Sequence, residues 1–320
     1  MNFDLLFDNL RNPAFLFFIL GIIAVKLKSD LEIPANSSKF ISLYLLFAIG
    51  FKGGQELAHS HFTMEIIWCV LFGVTVACVI PLYTFFILKR KLSIENSGAI
   101  AAAYGSVSAV TFVTAASFLE IQNLTFGGHM VAVMALMEVP AIVIGVMLIR
   151  LYKAHDIHSP KLRNIITHSF TNGSVLLILG SLLIGLLASE QQAQGIKPFT
   201  TDIFMGFLAI FLLDMGIESG KRLSDFFKGG WFTSLFAILI PLINGCTVAL
   251  ASRSATDDVG NRFMLAVLAA SASYIAVPAA MKMAVPKANP SIYLPMTLAV
   301  TFPFNITIGL PLYYLIVQYS

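Results

Sequence analysis

Apolar runs long enough to cross a bilayer recur from one end of this sequence to the other, and no other feature narrows its fold so far. A helix covers the hydrocarbon core with about 20 mostly apolar residues. Such runs fall at 12–28, 39–57, 65–88, 96–119, 128–152, 172–189, 200–221, 229–251, 261–284 and 291–317. Lipid offers no hydrogen bonds to a bare backbone, so each run is predicted to be helical. The expected fold is an all-α integral membrane protein with ten transmembrane helices. With 58% hydrophobic and 12% charged residues in 320, the polar surface is too small to coat a water-soluble globule, and no separate soluble domain is expected. The first run follows Asp4, Asp8 and Arg11 without a basic leader or an A-x-A-like site, which predicts a first span and not a cleaved signal.

The net charge of +3 is spread over short loops, so no nucleic-acid surface is expected. The loops after spans one, three, five, seven and nine, with adjoining helix ends, hold Lys26, Lys28, Lys39, Lys89, Arg90, Lys91, Arg150, Lys153, Lys161, Arg163, Lys221, Arg222, Lys228, Lys282 and Lys287, which is 15 of the 20 Lys and Arg. The other side keeps Arg11, Lys52, Lys197, Arg253 and Arg262. By the positive-inside rule both termini face outward across a plasma (inner) membrane, and the segment around 153–171 faces the cytoplasm. Cys69, Cys78 and Cys246 lie within apolar runs without metal-ligand spacing, as expected of buried free thiols.

The two halves of the chain resemble each other. Ala48-Ile-Gly-Phe-Lys-Gly-Gly-Gln-Glu-Leu57 aligns with Asp214-Met-Gly-Ile-Glu-Ser-Gly-Lys-Arg-Leu223, which pairs Gly50 with Gly216 and Gly54 with Gly220. Trp68 pairs with Trp231, Arg90 with Arg253, Ser106 and Ser108 with Ser271 and Ser273, and Gly145 with Gly309. A repeat of five spans is odd, so the second copy enters the membrane from the opposite side. The expected organisation is a first five-helix repeat at 1–153, a cytoplasmic linker at 154–171 and an inverted repeat at 172–320. Secondary transporters built this way bind near the midplane, where discontinuous helices meet.

Both fourth spans carry small hydroxyl residues at their centres: Gly105-Ser-Val-Ser-Ala-Val-Thr111 and Ser271-Ala-Ser-Tyr-Ile-Ala-Val-Pro278. A break there would expose amides at one half-helix N-terminus, which suit an anion, and carbonyls at the other's C-terminus, which suit sodium. Pro278 is expected to free the carbonyl of Tyr274. Close packing of small residues is the competing explanation. Candidate substrate-binding residues are Gly105, Ser106, Ser108, Ala109, Thr111, Ser271, Ser273 and Tyr274.

Met137-Glu-Val-Pro-Ala141 and Thr301-Phe-Pro-Phe-Asn-Ile-Thr307 occupy the fifth and tenth spans. Pro140 and Pro303 are expected to free the carbonyls of Leu136 and Ala299. An ionisable group ten residues inside a span is costly unless it is paired or hydrated, which points Glu138 toward cation binding, with a structural hydrogen bond or a protonated carboxyl as the alternative. The candidate cation-binding residues are Glu138, Tyr274, Thr301, Asn305 and Asp214, and sodium is the only metal ion expected. Asp214 fits an interdomain hydrogen bond as well as a coupling role, and Glu218 fits an ion pair with Lys221 and Arg222. No His-Glu-x-x-His, Walker loop or metal-spaced histidine pair lies in a span, and His59, His61, His155, His158 and His168 fall in loops, so enzymatic chemistry is not expected.

Three stretches, Ala270-Ser-Ala-Ser-Tyr-Ile-Ala-Val-Pro-Ala-Ala280, Pro286-Lys-Ala-Asn-Pro-Ser-Ile-Tyr293 and Val300-Thr-Phe-Pro-Phe-Asn-Ile-Thr-Ile-Gly-Leu-Pro311, resemble the sodium-dependent bicarbonate transporter family known from cyanobacteria. The resemblance extends over essentially the whole chain. It implies a gate domain from helices 1, 2, 6 and 7, a core domain from helices 3–5 and 8–10, and bicarbonate held between broken fourth and ninth helices with sodium nearby. A homotrimer and a cytoplasmic PII-like regulatory protein are implied in the same way. The chain departs from the family's Ser-Gly-Ser-Thr with Ser108-Ala109-Val110-Thr111, so Ser108 and Thr111 carry over while Val110 offers no hydroxyl.

The function expected is sodium-coupled import of bicarbonate. Symport of another small carboxylate, cation/proton antiport and a non-transporting membrane sensor are the alternatives.

Overall fold

The computed structural model describes residues 11–59, 62–153, 162–228 and 230–320. The sequence features at Asp4, Asp8, His61, His155, His158 and Lys161, and linker residues 154–161, lie outside the described residues. Every regular element among the described residues is helical. In chain order these are α1 (Pro13–Lys26), α2 (Ala35–His59), α3 (Met64–Leu88), α4 (Ile94–Gly105), α5 (Ala109–Ile121), α6 (His129–Tyr152), α7 (Leu162–Phe170), α8 (Gly173–Leu187), α9 (Glu190–Lys197), α10 (Phe204–Lys228), α11 (Trp231–Ala251), α12 (Val259–Ala270), α13 (Ala276–Ala284) and α14 (Pro290–Tyr319).

Helix starts follow local capping chemistry. The Asn12 side chain accepts from the Ala14 amide at 2.9 Å before Pro13, and Asp258 accepts from the Asn261 amide at 2.7 Å. Each satisfies an amide that has no helical acceptor. Gly230 opens α11 at φ +88°, a conformation open to glycine at little cost. By length and composition, six stretches suffice to cross a membrane: Met64–Leu88, Ile94–Ile121, His129–Tyr152, Glu190–Leu223, Trp231–Ser254 and Pro290–Tyr319. Pro13–Lys26, Gly173–Leu187 and Val259–Ala270 are shorter apolar helices.

Two helix pairs pack backbone to backbone. α1 lies on α10 through Gly21 and Gly216, where a Cβ on Gly216 would overlap the Phe18 carbonyl oxygen. α2 lies on α8 through Gly50, Gly54 and Gly185, and a Cβ on Gly50 would stand 2.7 Å from Ser181 Cβ and 2.8 Å from the Ile178 oxygen. Without a hydrophobic driving force in lipid, such close approach supplies the van der Waals contact that holds helices together. The remaining long helices pack as α3 with α4 and α6, and α11 with α12 and α14. Buried Arg262 ties three of them, donating to the Val317 and Ala249 carbonyls at 3.3 and 3.1 Å.

The prolines behave differently from expectation. α13 begins at Ala276, so Pro278 lies in its first turn, where an amide would lack a helical acceptor anyway. The interruption before it comes from residues 271–275, and no mid-helix carbonyl is displaced. α6 runs straight through Pro140. α14 passes Pro303 by widening into π-helix at Pro295–Thr301 and Asn305–Gly309, a geometry that accommodates a missing i→i−4 bond. Of the three thiols, Cys69 is buried while Cys78 and Cys246 are half-buried, and all are free.

Candidate functional site

The stretch Ile94–Ile121 is interrupted at Ser106–Ser108, and the stretch from Val259 to Ala284 at Ser271–Ile275. The two interruptions cross in contact. The Ser108 amide donates to Ser271 Oγ at 3.0 Å, and the Ser273 amide donates to the Ala103 carbonyl at 2.8 Å. Ser271 Oγ in turn donates to the Leu268 carbonyl at 2.8 Å. Each break thus satisfies part of the other's exposed backbone, as buried polar groups in lipid must.

The carbonyl ends of the breaks are occupied by protein. Ala102 oxygen accepts from the Ser106 amide at 2.9 Å, and Ala270 oxygen accepts from Asn305 Nδ2 at 2.8 Å. The amide ends are freer. Ser108 Oγ accepts from the Thr111 amide at 3.2 Å and Ser273 Oγ from the Val277 amide at 3.3 Å. The amides of Ala109, Val110 and Ala276, in the first turns of α5 and α13, have no acceptor among the described residues.

These amide ends border a cavity of about 40 Å³, room for a few waters or a small ion. Its walls come from Val107–Val110 and Val113, from Ser273–Ala276, from Glu138 on α6, and from Ser42, Ser174 and Phe211 on α2, α8 and α10. The cavity therefore lies between the two glycine-packed helix pairs and the crossed breaks.

Of the candidate substrate residues, Ser108, Ala109, Ser273 and Tyr274 line it. Gly105, Thr111 and Ser271 are buried behind them: Gly105 packs on the Pro81 ring and Ser271 braces Ser108. Ser106 Oγ is buried without a hydrogen-bond partner among the described residues. Of the candidate cation residues, Glu138 and Tyr274 line the cavity, and the Glu138 carboxyl makes no hydrogen bond or ion pair among the described residues. Thr301 and Asn305 lie elsewhere, in a satisfied network. Thr301 Oγ1 donates to the Ala237 carbonyl at 2.7 Å and shares a 2.8 Å hydrogen bond with the Tyr104 hydroxyl. Asn305 Oδ1 accepts from Tyr313 at 3.2 Å. Asp214 on α10 accepts from Ser38 Oγ and stands near enough to Tyr274 to interact electrostatically. Glu218 pairs with Lys221 at 3.4 Å and with Arg222 at 3.5 Å.

Sequence reading missed Ser42 and Ser174, whose hydroxyls sit in runs otherwise read for hydropathy alone. It also missed His129, buried at the start of α6 with Nε2 unpartnered, beside a wider cavity of about 590 Å³ that Glu56, Glu65 and Asp258 also line. An orphaned hydroxyl on Ser106 and an unpaired carboxyl on Glu138 are oxygen donors of the kind a hard cation prefers.

A family model described as the Na+-dependent bicarbonate transporter superfamily matches residues 13–318. No curated protein matches the chain.

Proposed function

From the premise that this chain belongs to the Na+-dependent bicarbonate transporter superfamily and is a multi-pass membrane transporter, we propose that it imports bicarbonate across the plasma membrane by sodium symport. The observation that carries this reading is the cavity where free amides of two interrupted helices meet an unpaired carboxyl. Amide ends of helices attract an anion, and Ser108 and Ser273 add hydroxyl donors. Glu138 supplies oxygens on the cation side, and Asp214 acts from the facing helix. Thr301 and Asn305 serve at one remove, Asn305 by holding α14 against the end of α12 and Thr301 by tying α14 to α11 and α4.

Ten spans in two inverted repeats support alternating access. The contacts come in the matched pairs that such a repeat requires: α1 with α10 answers α8 with α2, and α3 with α6 answers α11 with α14. In this reading the glycine-packed pairs form the gate domain and the crossed breaks belong to the core domain, so relative movement of the two exposes the cavity to either side. Homotrimer assembly and docking of a PII-like regulator belong to the same reading.

Counterflow of labelled bicarbonate in proteoliposomes tests it. Sodium-dependent exchange is expected; cation exchange without anion would establish an antiporter, and no flux a sensor. A second reading rests on Val110. With Val107, Val113, Leu45 and Leu46 it makes the cavity wall more apolar than a serine there would, which favours a small carboxylate bearing a carbon group. Acetate or formate displacing bicarbonate at lower concentration than bicarbonate itself would decide for it.

Ser108→Ala and Ser273→Ala are each expected to weaken anion binding by roughly 10- to 150-fold, since a hydrogen bond to a charged ligand contributes about 1.5–3 kcal/mol. Both hydroxyls also cap amides, so each variant should lose about 1 kcal/mol of stability. Unchanged affinity in both would reduce the serines to caps. For orientation, single cysteines are placed in a background lacking Cys69, Cys78 and Cys246. One in the segment 155–168 should resist an impermeant thiol reagent added outside, while one replacing exposed Gln192 should react. The reverse pattern would invert the topology.

A further inference from the structure

We infer that the wider cavity, at the ends of α2, α3, α6 and α12, binds a short alkyl diamine: Glu56, Glu65 and Asp258 take its two ammonium groups, His129 accepts from one of them, and its methylene chain lies along Ile66 and Phe126. The orientation proposed above places this cavity on the outer face; the binding itself depends neither on that reading nor on the anion site. At about 590 Å³ the space suits a small organic molecule better than a lone ion. Two independent observations carry the inference, and the first is an orphaned atom. His129 is only 7% exposed and lines the cavity, yet its Nε2 has no hydrogen-bond partner among the described residues. A buried polar atom left unpaired is costly, and a ligand N–H recovers that cost. The ring fills the space that a side chain at position 127 would need: a Cβ on Gly127 would stand 2.4 Å from its Cε1 and 2.5 Å from its Nδ1.

The second observation is charge. The lining holds three carboxylic acids and no Lys or Arg. Lys52, within electrostatic reach of Glu56, is paired with Glu120 at 3.1 Å. Helix ends offset part of the negative charge: α3, α6 and α12 present N-termini, each equivalent to roughly half a positive charge, and α2 presents a C-terminus of the opposite sign. With the imidazole uncharged, about two negative charges remain. Buried Asn261 sets their positions. Its Nδ2 donates to Glu65 at 3.2 Å, its amide donates to Asp258 at 2.7 Å, and its Oδ1 accepts from the Gly127 amide at 2.7 Å. Glu65 Oε2 and Asp258 Oδ2 keep no protein donor among the described residues and are left for a ligand. No three His, Cys, Asp or Glu side chains among the described residues can hold one metal ion between them, so a point dication does not meet these charges together. A diamine does, because it carries its two charges at either end of an apolar chain.

Calorimetric titration of the purified protein in a neutral detergent with putrescine, butylamine and magnesium tests this. Putrescine should bind at least about 10-fold more tightly than butylamine, the factor expected of a second hydrogen bond between charged groups. It should also bind more tightly than magnesium, which carries the same charge at a single point. Glu65→Gln should weaken putrescine binding about 10-fold, and so should Glu56→Gln, whose exposed position spares the fold. His129→Phe keeps an aromatic ring and removes the acceptor. That variant should bind putrescine about 10-fold more weakly and, without ligand, melt no lower than wild type, because the orphaned nitrogen is gone. The proposal is overturned by absent putrescine binding, by equal affinity for putrescine and butylamine, or by tighter binding of magnesium than of putrescine. Wild-type putrescine affinity in both carboxyl variants, or in a folded His129→Phe protein, overturns it as well. Should His129→Phe not fold, Glu56→Gln and Glu65→Gln decide.

Discussion

Gly216→Val and Gly54→Val are expected to yield protein that unfolds in detergent roughly 5 °C or more below wild type, with much reduced yield. At Gly216 the new side chain would begin inside the Phe18 carbonyl oxygen, and at Gly54 inside the Leu182 carbonyl oxygen. The obstacles are backbone atoms of α1 and α8, so no rotamer change can clear them. The paired helices must move apart, and overpacking of this kind costs about 1–3 kcal/mol even where side chains can yield. Lipid does not recover that loss, because van der Waals contact is what holds these pairs. Gly180 on α8 is the control, since a Cβ there meets nothing within 4 Å. Gly180→Ala should be neutral or more stable by about 0.5–1 kcal/mol. Thermal unfolding followed by size-exclusion chromatography reads all three. Equal melting of Gly216→Val, Gly54→Val and wild type would show that the helix pairs are not packed through these glycines.

The glycine positions were visible in the sequence because they repeat. Gly50 aligns with Gly216, and each lies at the contact of one helix pair. Pattern matching found the positions, but the partners Gly21 and Gly185 come from helices distant in the chain, and nothing in the motif names them. The breaks were visible for a similar reason. Ser106–Ser108 and Ser271–Ser273 stand at equal depth in matching runs, and small hydroxyl residues there cost a helix little to interrupt. What sequence could not give was the direction of each exposed group. The prolines, expected to free the carbonyls of Tyr274 and Ala299, do otherwise: Pro278 starts a helix and Pro303 is absorbed by a wider one. Of the carbonyls at the half-helix C-termini, expected to suit sodium, that of Ala270 is filled by Asn305 and that of Ala103 by the Ser273 amide, because crossing the two breaks lets protein groups satisfy them. Depth in a span marked Glu138, Thr301 and Asn305 alike as polar groups in lipid. Only packing separates the one that borders the cavity from the two that do not.

That separation makes Asn305→Leu informative. Asn305 Nδ2 donates to the Ala270 carbonyl at 2.8 Å, and its Oδ1 accepts from the Tyr313 hydroxyl at 3.2 Å. Leucine has nearly the same volume and meets neither need. The Ala270 carbonyl closes α12 just before the break, so losing its partner leaves an unsatisfied acceptor in a buried site; Tyr313 keeps a 3.1 Å bond to the Pro241 carbonyl. An unsatisfied buried group costs about 1–3 kcal/mol, and the same change removes one side-chain tether between α14 and the end of α12. The variant should therefore be less stable by about 2–4 kcal/mol, and by the same amount with and without sodium. A direct sodium ligand would behave otherwise: its loss would leave the sodium-free protein untouched and remove only the extra stability that sodium confers. Melting of wild type and Asn305→Leu across a sodium titration distinguishes the two. Parallel curves place Asn305 in the scaffold of the break, whereas curves that coincide without sodium and diverge with it would return Asn305 to the cation site.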